Sequence, residues 1–472
     1  MSGAPASVDA GAAPAARPRL SRAALGDTVR AAPVRIVHMG LGNFHRAHQA
    51  WYTARSDDAA GWGIAAFTGR SPAAARELAA QEGLYTLIER AGDGDRASIV
   101  GSISRACDGA DLAAFCAMVA APATALVTLT ITEPGYHLNA AGDLDSADAL
   151  VAADVAQLAA HSDAAAPVTP LARLALGLHA RYRAGGAPLA VVPCDNLPGN
   201  GALVARAVAK LAACEGAGFA RWIGRAVAFV STSVDRITPR CTAADAATAC
   251  RLTGWTDRVP VVTESFSDWV LQGDFPAGRP RWESAGARFV GDVRPFERRK
   301  LWLLNGAHSL LAYRGLLRGH ATVAAAMNDA DLRAAVERLW MEARRHLPAV
   351  LDLDSYCSAL RTRFANARIE HRLAQIGMDG VAKLRVRVVP VAQAELAAGR
   401  DAEGCAGPIA AWVACAQRGL LPPDASAAAL SAALAQPPAA RVRALVALLA
   451  ADLAGESGFM HRVRTGVDRL CT

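Results

Sequence analysis

Read as a pattern of apolar and polar positions, the chain changes character once. Before about residue 294, short apolar runs recur and each closes in a turn: Val34–Met39, Gly63–Phe67, Leu126–Thr132, Leu189–Val192 and Ala226–Val230. Runs this short, bounded by Gly, Pro, Asp or Asn, read as buried strands. They alternate with helical stretches such as 145–183, which predicts an α/β fold with a parallel sheet. After residue 294 strand-like runs nearly vanish and long Ala/Leu/Arg stretches take over, for example Asp329–Arg345 and Ala425–Ala454. That half is expected to be mostly α-helical. Within it, Arg361–Asn366 and Met378–Lys383 read as polar interruptions able to reach a cleft. Gly404–Gly407 and Leu421–Asp424 read as surface connections.

The first strand runs directly into Gly40-Leu-Gly42-Asn43-Phe44-His45. Strand, G-x-G, then helix is the geometry that brings backbone N–H groups to a pyrophosphate. His45 stands where the usual third glycine would be. The boundaries expected are a flexible tail at 1–30, a Rossmann-type dinucleotide-binding domain at 31–293, and a helical substrate and catalytic domain at 294–472. After the second strand comes Thr68-Gly-Arg70-Ser71. A carboxylate there would hold a ribose hydroxyl and an arginine would accommodate a 2′-phosphate. Arg70 without a neighbouring carboxylate therefore leaves NAD and NADP both open. Glu133 closes the strand at Leu126–Thr132, and Asp195 and Asn196 close the strand at Leu189–Val192. In open α/β sheets ligands meet such strand ends, although Asp and Asn also serve ordinary turns there. Asp235 and Arg236 read as a structural ion pair or cap.

One segment, Glu297–His308, concentrates candidate chemistry. On an α-helix at about 100° per residue, Glu297, Asn305 and His308 fall within roughly 140° of Lys300. Leu301, Trp302, Leu303, Leu304, Leu310 and Leu311 cover the rest, as expected of a buried helix. A lysine desolvated on such a helix can serve as a base. The 50 Lys+Arg include lysine only at Lys210, Lys300 and Lys383. Because arginine does not give up its proton, a retained lysine at Lys300 points to a titratable function.

Composition narrows the class. The 472 residues are 53% hydrophobic and 20% charged, enough for two or three cored domains. A net charge of +7, spread as single arginines, gives no basic run for nucleic acid. No apolar stretch reaches the ~18 residues of a membrane span. Ten cysteines without a C-x-x-C pair provide neither a zinc framework nor a disulfide scaffold, and fit a reducing cytoplasm.

Five ordered segments carry a resemblance: G-L-G-N-F-H-R-A-H-Q, C-D-N-x-x-x-N-G, V-D-R-I-T-P, G-R-P-x-W-E and E-x-x-K-L-x-x-L-N-G-x-H. Together, over about Ile36 to Lys383, the chain resembles the mannitol dehydrogenase family of long-chain polyol dehydrogenases, which includes fructuronate and tagaturonate reductases. The resemblance implies metal-free hydride transfer between NAD(P) and a polyol or aldonate. It also implies a Rossmann-type first domain and a mostly helical second one. It makes Lys300 the general base, Asn196 and Asn305 the carbonyl-polarising amides, His308 the orienting histidine and Glu297 the carboxylate that helps protons reach the lysine. Gly40, Gly42, Asn43, Phe44, Arg70 and Glu133 are then expected at the cofactor, and Asp235, Arg372 and Lys383 at the substrate.

Departures from the family pattern are Gln272-Gly273, Ser231 and Gln375, all on the substrate side or the domain joint. An arginine facing the distal end of the substrate would favour an aldonate, and Arg361, Arg363 and Arg372 are the candidates. A catalytically inactive nucleotide-binding regulator is the alternative class, which the joint presence of Lys300, Asn305, His308 and Asn196 argues against. A cytoplasmic monomer or weak oligomer is expected.

Overall fold

The structure, a computed structural model, describes residues 17–139, 141–160 and 165–471. Twelve strands occur in chain order: β1 Val34–Met39, β2 Gly63–Phe67, β3 Tyr85–Ala91, β4 Gly94–Val100, β5 Ile103–Cys107, β6 Leu126–Leu129, β7 Leu189–Pro193, β8 Val227–Phe229, β9 Ser231–Asp235, β10 Val261–Thr263, β11 Asp268–Gln272 and β12 Arg288–Phe289. Six of them form one sheet in the order β5-β2-β1-β6-β7-β8, with every neighbour parallel. The order reverses at β1, between β2 and β6, so the crevice at its carboxyl end is the expected ligand position. β2, β6 and β7 are buried along their whole length. That explains why they read as continuous apolar runs rather than alternating ones.

Two three-stranded sheets, β10-β3-β4 and β12-β11-β9, flank this core. Two of their strands escape an apolar-run reading because burial along them is mixed. β4 runs partly buried, partly buried, exposed, and so on, and β9 alternates likewise. β9 pairs antiparallel with β11 across Asp235 and Asp268, which fixes the backbone that faces Lys300.

From Arg294 onward every element is helical. The helices 306–317, 330–344 and 403–417 enclose one apolar cluster built on Leu303, Leu339, Trp340 and Trp412. One expectation holds only in part and another fails in this half. Arg361 and Lys383 lie within helices, at 353–365 and 380–387, while Asn366 and Met378–Asp379 do fall between helices, and Asp379 and Lys383 reach the cleft. The Gly404–Gly407 segment is not a surface connection: it is the start of the buried helix 403–417. A Cβ on Gly404 would stand 2.7 Å from the Arg338 carbonyl oxygen. The glycine is there for close helix contact, and the buried Glu342 accepts the N–H groups of Gly404 and Cys405.

Of the expected tail, residues 1–16 lie outside the described residues. Residues 17–30 pack instead of hanging free: Leu20 is fully buried, its N–H reaches the Thr256 carbonyl, and Arg22 donates to the carbonyls of Gly101 and Ile103. Among the described residues no helix is long and apolar enough to cross a membrane.

Candidate active site

The glycine loop is tied down before any ligand is considered. Gly40 sits at φ +109°, and a Cβ there would lie 2.2 Å from the Thr130 carbonyl oxygen, so only glycine fits. Gly40 and Leu41 both donate backbone N–H to the Phe67 carbonyl at the end of β2. Thr130 Oγ1 donates to the Gly40 carbonyl at 2.8 Å, so its contact with His38 Nε2 at 3.0 Å must be one it accepts. His38 then carries its proton on Nε2 and accepts from Thr128 Oγ1 through Nδ1 at 2.8 Å. Burial holds this imidazole down at about 3, neutral at working pH. Beside it, a Cβ at Gly42 would meet nothing nearer than the Gly40 carbonyl oxygen at 3.6 Å. A glycine opening onto free space at the carboxyl end of β1 is the cradle a pyrophosphate requires.

That loop forms one wall of a cavity of about 900 Å³, large enough for a cofactor and a small substrate together. Gly40, Gly42, Asn43, Phe44 and Glu133 line it from the sheet side, with Asn196 and Asp235. Lys300, Asn305, His308 and Lys383 line it from the helical side. Glu297 opens instead onto an adjoining cavity of about 440 Å³, which shares Lys300, Asn196 and Asn305 as its wall.

The helix carrying these groups is not a plain α-helix. Arg294–Arg299 is α, Lys300–Asn305 is a π segment, and Gly306–Leu317 is α again. Gly306 N–H reaches the Leu301 carbonyl, five residues back. Residues five apart diverge by about 140° on an α-helix, and the wider turn brings Lys300 and Asn305 toward one side. Carbonyls released by the bulge find side-chain donors. Trp340 Nε1 donates to Leu303 O at 2.8 Å, and Arg387 Nη1 reaches Asn305 O at 3.5 Å.

Lys300 Nζ donates to Asn196 Oδ1 and to the Val234 carbonyl, each at 2.6 Å. Its remaining exposure is to the cavities. Burial lowers its pKa, opposed by the Asp235 carboxylate and reinforced by Arg363. Asn200 places Asn196. Its Nδ2 donates to the Asp195 carbonyl at 3.3 Å and its Oδ1 accepts Thr232 N–H at 2.8 Å, clamping the β7 turn to β9. Asp195 accepts the Tyr136 hydroxyl, and burial pushes its carboxyl up to about 6. His308 is buried, and burial beside His371 and Arg387 holds it neutral. Its Nε2 has no partner among the described residues. Phe364 and His371 flank the ring, each 4.8 Å away between centroids.

Glu297 Oε1 accepts the Gly199 N–H at 2.8 Å, and burial raises its pKa. The ion pair expected between Asp235 and Arg236 does not form. Arg363 holds Asp235 through both Nη atoms at 2.7 and 2.9 Å, while Arg236 pairs with Glu89. Both ion pairs run between segments distant in sequence, so no local pattern announces them. Lys383 Nζ donates to Ile376 O at 3.2 Å.

Two expected residues are not brought together with the rest. Arg372 is 68% exposed, pairs with Glu370 and does not line the cavity, because it precedes the helix 373–376 on its outer side. Arg70 stands exposed beyond β2, outside the cavity lining. Of the other arginine candidates, Arg361 pairs with Glu337 on the surface and Arg363 is spent on Asp235 and Glu264. Sequence reasoning missed His371 and Arg387. Arg387 repeats the i, i+4 spacing from Lys383 on one helix face, which was the available signal.

Comparison with known proteins agrees with this geometry. The sequence profile of the mannitol dehydrogenase Rossmann domain matches residues 34–284, and that of the mannitol dehydrogenase C-terminal domain matches residues 292–471. The chain is 35% identical to the D-mannonate oxidoreductase of Escherichia coli, over 80% of this chain and 79% of that protein. It is 37% identical to the mannitol 2-dehydrogenase of Cereibacter sphaeroides, over 80% of each. Among solved structures, the Pseudomonas fluorescens mannitol 2-dehydrogenase in ternary complex with NAD and D-mannitol superposes with a TM-score of 0.75. That match has 32% identity and covers 97% of this chain and 94% of the other. Sheet order, glycine loop, Lys300 cavity and matched length all lead to one assignment: this chain belongs to the mannitol dehydrogenase family.

Proposed function

We propose that the chain is an NAD-dependent oxidoreductase that interconverts a secondary alcohol of a sugar alcohol or aldonate and the corresponding ketone, with Lys300 as general base. The observation that carries this reading is the bonding of the Lys300 amine. A neutral amine has two N–H bonds and one lone pair. With both N–H bonds directed to Asn196 Oδ1 and Val234 O, the lone pair is left for a substrate hydroxyl in the cavity. Desolvation favours that neutral form. The family relatives named for NAD, mannitol and mannonate support the same chemistry.

Gly40, Gly42 and the backbone from Asn43 would hold the dinucleotide. NAD, when bound, supplies the acceptor for hydride. Lys300 Nζ takes the hydroxyl proton during oxidation and returns it during reduction. Asn196, whose Oδ1 is turned to Lys300, is left with its NH₂ to donate toward the substrate oxygen. Asn305 supplies a second amide from the same cavity lining as Lys300. Two neutral donors stabilise the developing alkoxide without changing the charge of the site. His308 Nε2, buried and unpartnered, has its bonding capacity free for a substrate hydroxyl. Glu297, in the adjoining cavity next to Lys300, carries protons between that amine and solvent.

The test is a panel of hexitols, pentitols and hexonates with NAD and with NADP, followed at the nicotinamide absorbance in both directions. Turnover of at least one pair is expected. Dinucleotide binding without turnover across the panel would contradict the proposal and favour an inactive regulator.

A further inference from the structure

The helix 380–387 ends with an arginine that faces the active-site cavity and has bonding capacity to spare. Arg387 Nη1 reaches Ser309 Oγ at 3.2 Å and Asn305 O at 3.5 Å. Its Nε and Nη2 make no hydrogen bond among the described residues. A guanidinium carries five N–H donors in a planar fork suited to a carboxylate, and this one commits a single nitrogen. It lines both cavities together with Lys300 and Lys383.

A buried cation ordinarily stands beside a carboxylate that neutralises it. Here the carboxylates of the cavity are engaged elsewhere. Asp235 is held by Arg363, Asp195 takes the Tyr136 hydroxyl, and Asp379 accepts the Ala425 N–H at 3.1 Å. Glu133 is exposed at the rim and makes no ion pair with Arg387. Burial brings the Arg387 pKa down to about 10, so the group remains charged at neutral pH. The cavity thus has a fixed positive charge next to Asn305 that no carboxylate contacts among the described residues, the exposed Glu133 attracting it only from a distance.

We propose that Arg387, assisted by Lys383, receives a carboxylate at the end of the substrate, so that the preferred substrate is a hexonate and its keto acid rather than a neutral polyol. The inference rests on the oxidoreductase reading above and narrows its substrate class. The carboxylate takes no part in the redox step: it anchors the chain while the carbon bearing the hydroxyl lies at Lys300. Gln375, also in the cavity lining, is neutral and offers no competing charge. Arg387 is a specificity residue in this account, touching substrate away from the reacting carbon.

D-Mannonate and D-mannitol share a carbon skeleton and differ at one end, so their kcat/KM ratio reads the proposed contact. Wild type is expected to favour mannonate by roughly 100-fold, the scale of a lost charge-assisted contact in a desolvated site. Arg387→Met should raise KM for mannonate by about 30- to 100-fold with a smaller change in kcat, and Arg387→Lys should recover part of the loss. Wild-type preference for mannitol, or equal losses on both substrates in Arg387→Met, would overturn the proposal and leave the oxidoreductase reading standing. Turnover of neither, with NAD or NADP, would contradict that reading itself. If Arg387→Met does not give the wild-type circular-dichroism melt, the wild-type ratio and the Arg387→Lys variant decide.

Discussion

Nζ of Lys300 lies 2.6 Å from Oδ1 of Asn196, although the two residues are 104 positions apart and belong to different halves of the molecule. The lysine is therefore held in place by the turn after β7, and its lone pair is aimed only when the sheet half and the helical half are docked. Base and amide form one unit across the joint, so the site is assembled by tertiary structure and not by either half alone.

Lys300→Ala should reduce turnover by about 10²- to 10⁴-fold, the usual contribution of a positioned base. Dinucleotide affinity, measured by fluorescence titration, should change little because the glycine loop does not touch the lysine. Wild-type turnover in the variant would remove Lys300 from the mechanism.

Arg363 is the second test, directed at the joint. Its side chain comes from the helix 353–365 and donates to Asp235 and to Glu264, all three groups being nearly inaccessible. Arg363→Met would leave two buried carboxylates without the cation that pairs them, an arrangement that costs about 3–5 kcal/mol. Thermal unfolding followed by circular dichroism should show a melt lowered by several degrees. Turnover should fall with it, because Asp235 adjoins the Val234 carbonyl that Lys300 uses. An unchanged melting temperature would mean that the joint is held elsewhere.

Much of the sheet half could be read from residue order because its central strands are buried on both faces. Val34–Met39 and Gly63–Phe67 appear with the bounds their apolar runs suggest. The flanking strands Gly94–Val100 and Ser231–Asp235 could not be read this way, since mixed burial breaks their runs. The site segment was legible in its residues but not in its shape. A 3.6-residue period places Lys300 and Asn305 about 140° apart, and only the π segment, supported by Trp340 and Arg387, draws them together. Arg372 illustrates the converse. It was a candidate for the distal end of the substrate, but the direction of a side chain at the start of a short helix depends on packing that no local pattern records.

Lys300 must be neutral during oxidation, and the pH dependence of kcat in both directions measures this. Desolvation lowers the Lys300 pKa below its ordinary 10.5, so the deprotonated form is reached at lower pH than for a solvated lysine. Alcohol oxidation, which needs the free amine, should rise about tenfold per pH unit up to that pKa and then level off. Ketone reduction, which needs the ammonium, should be level below it and fall above it, with one shared group controlling both limbs. Limbs that are flat from about pH 5 to 10, or that persist unchanged in Lys300→Ala, would contradict a lysine base.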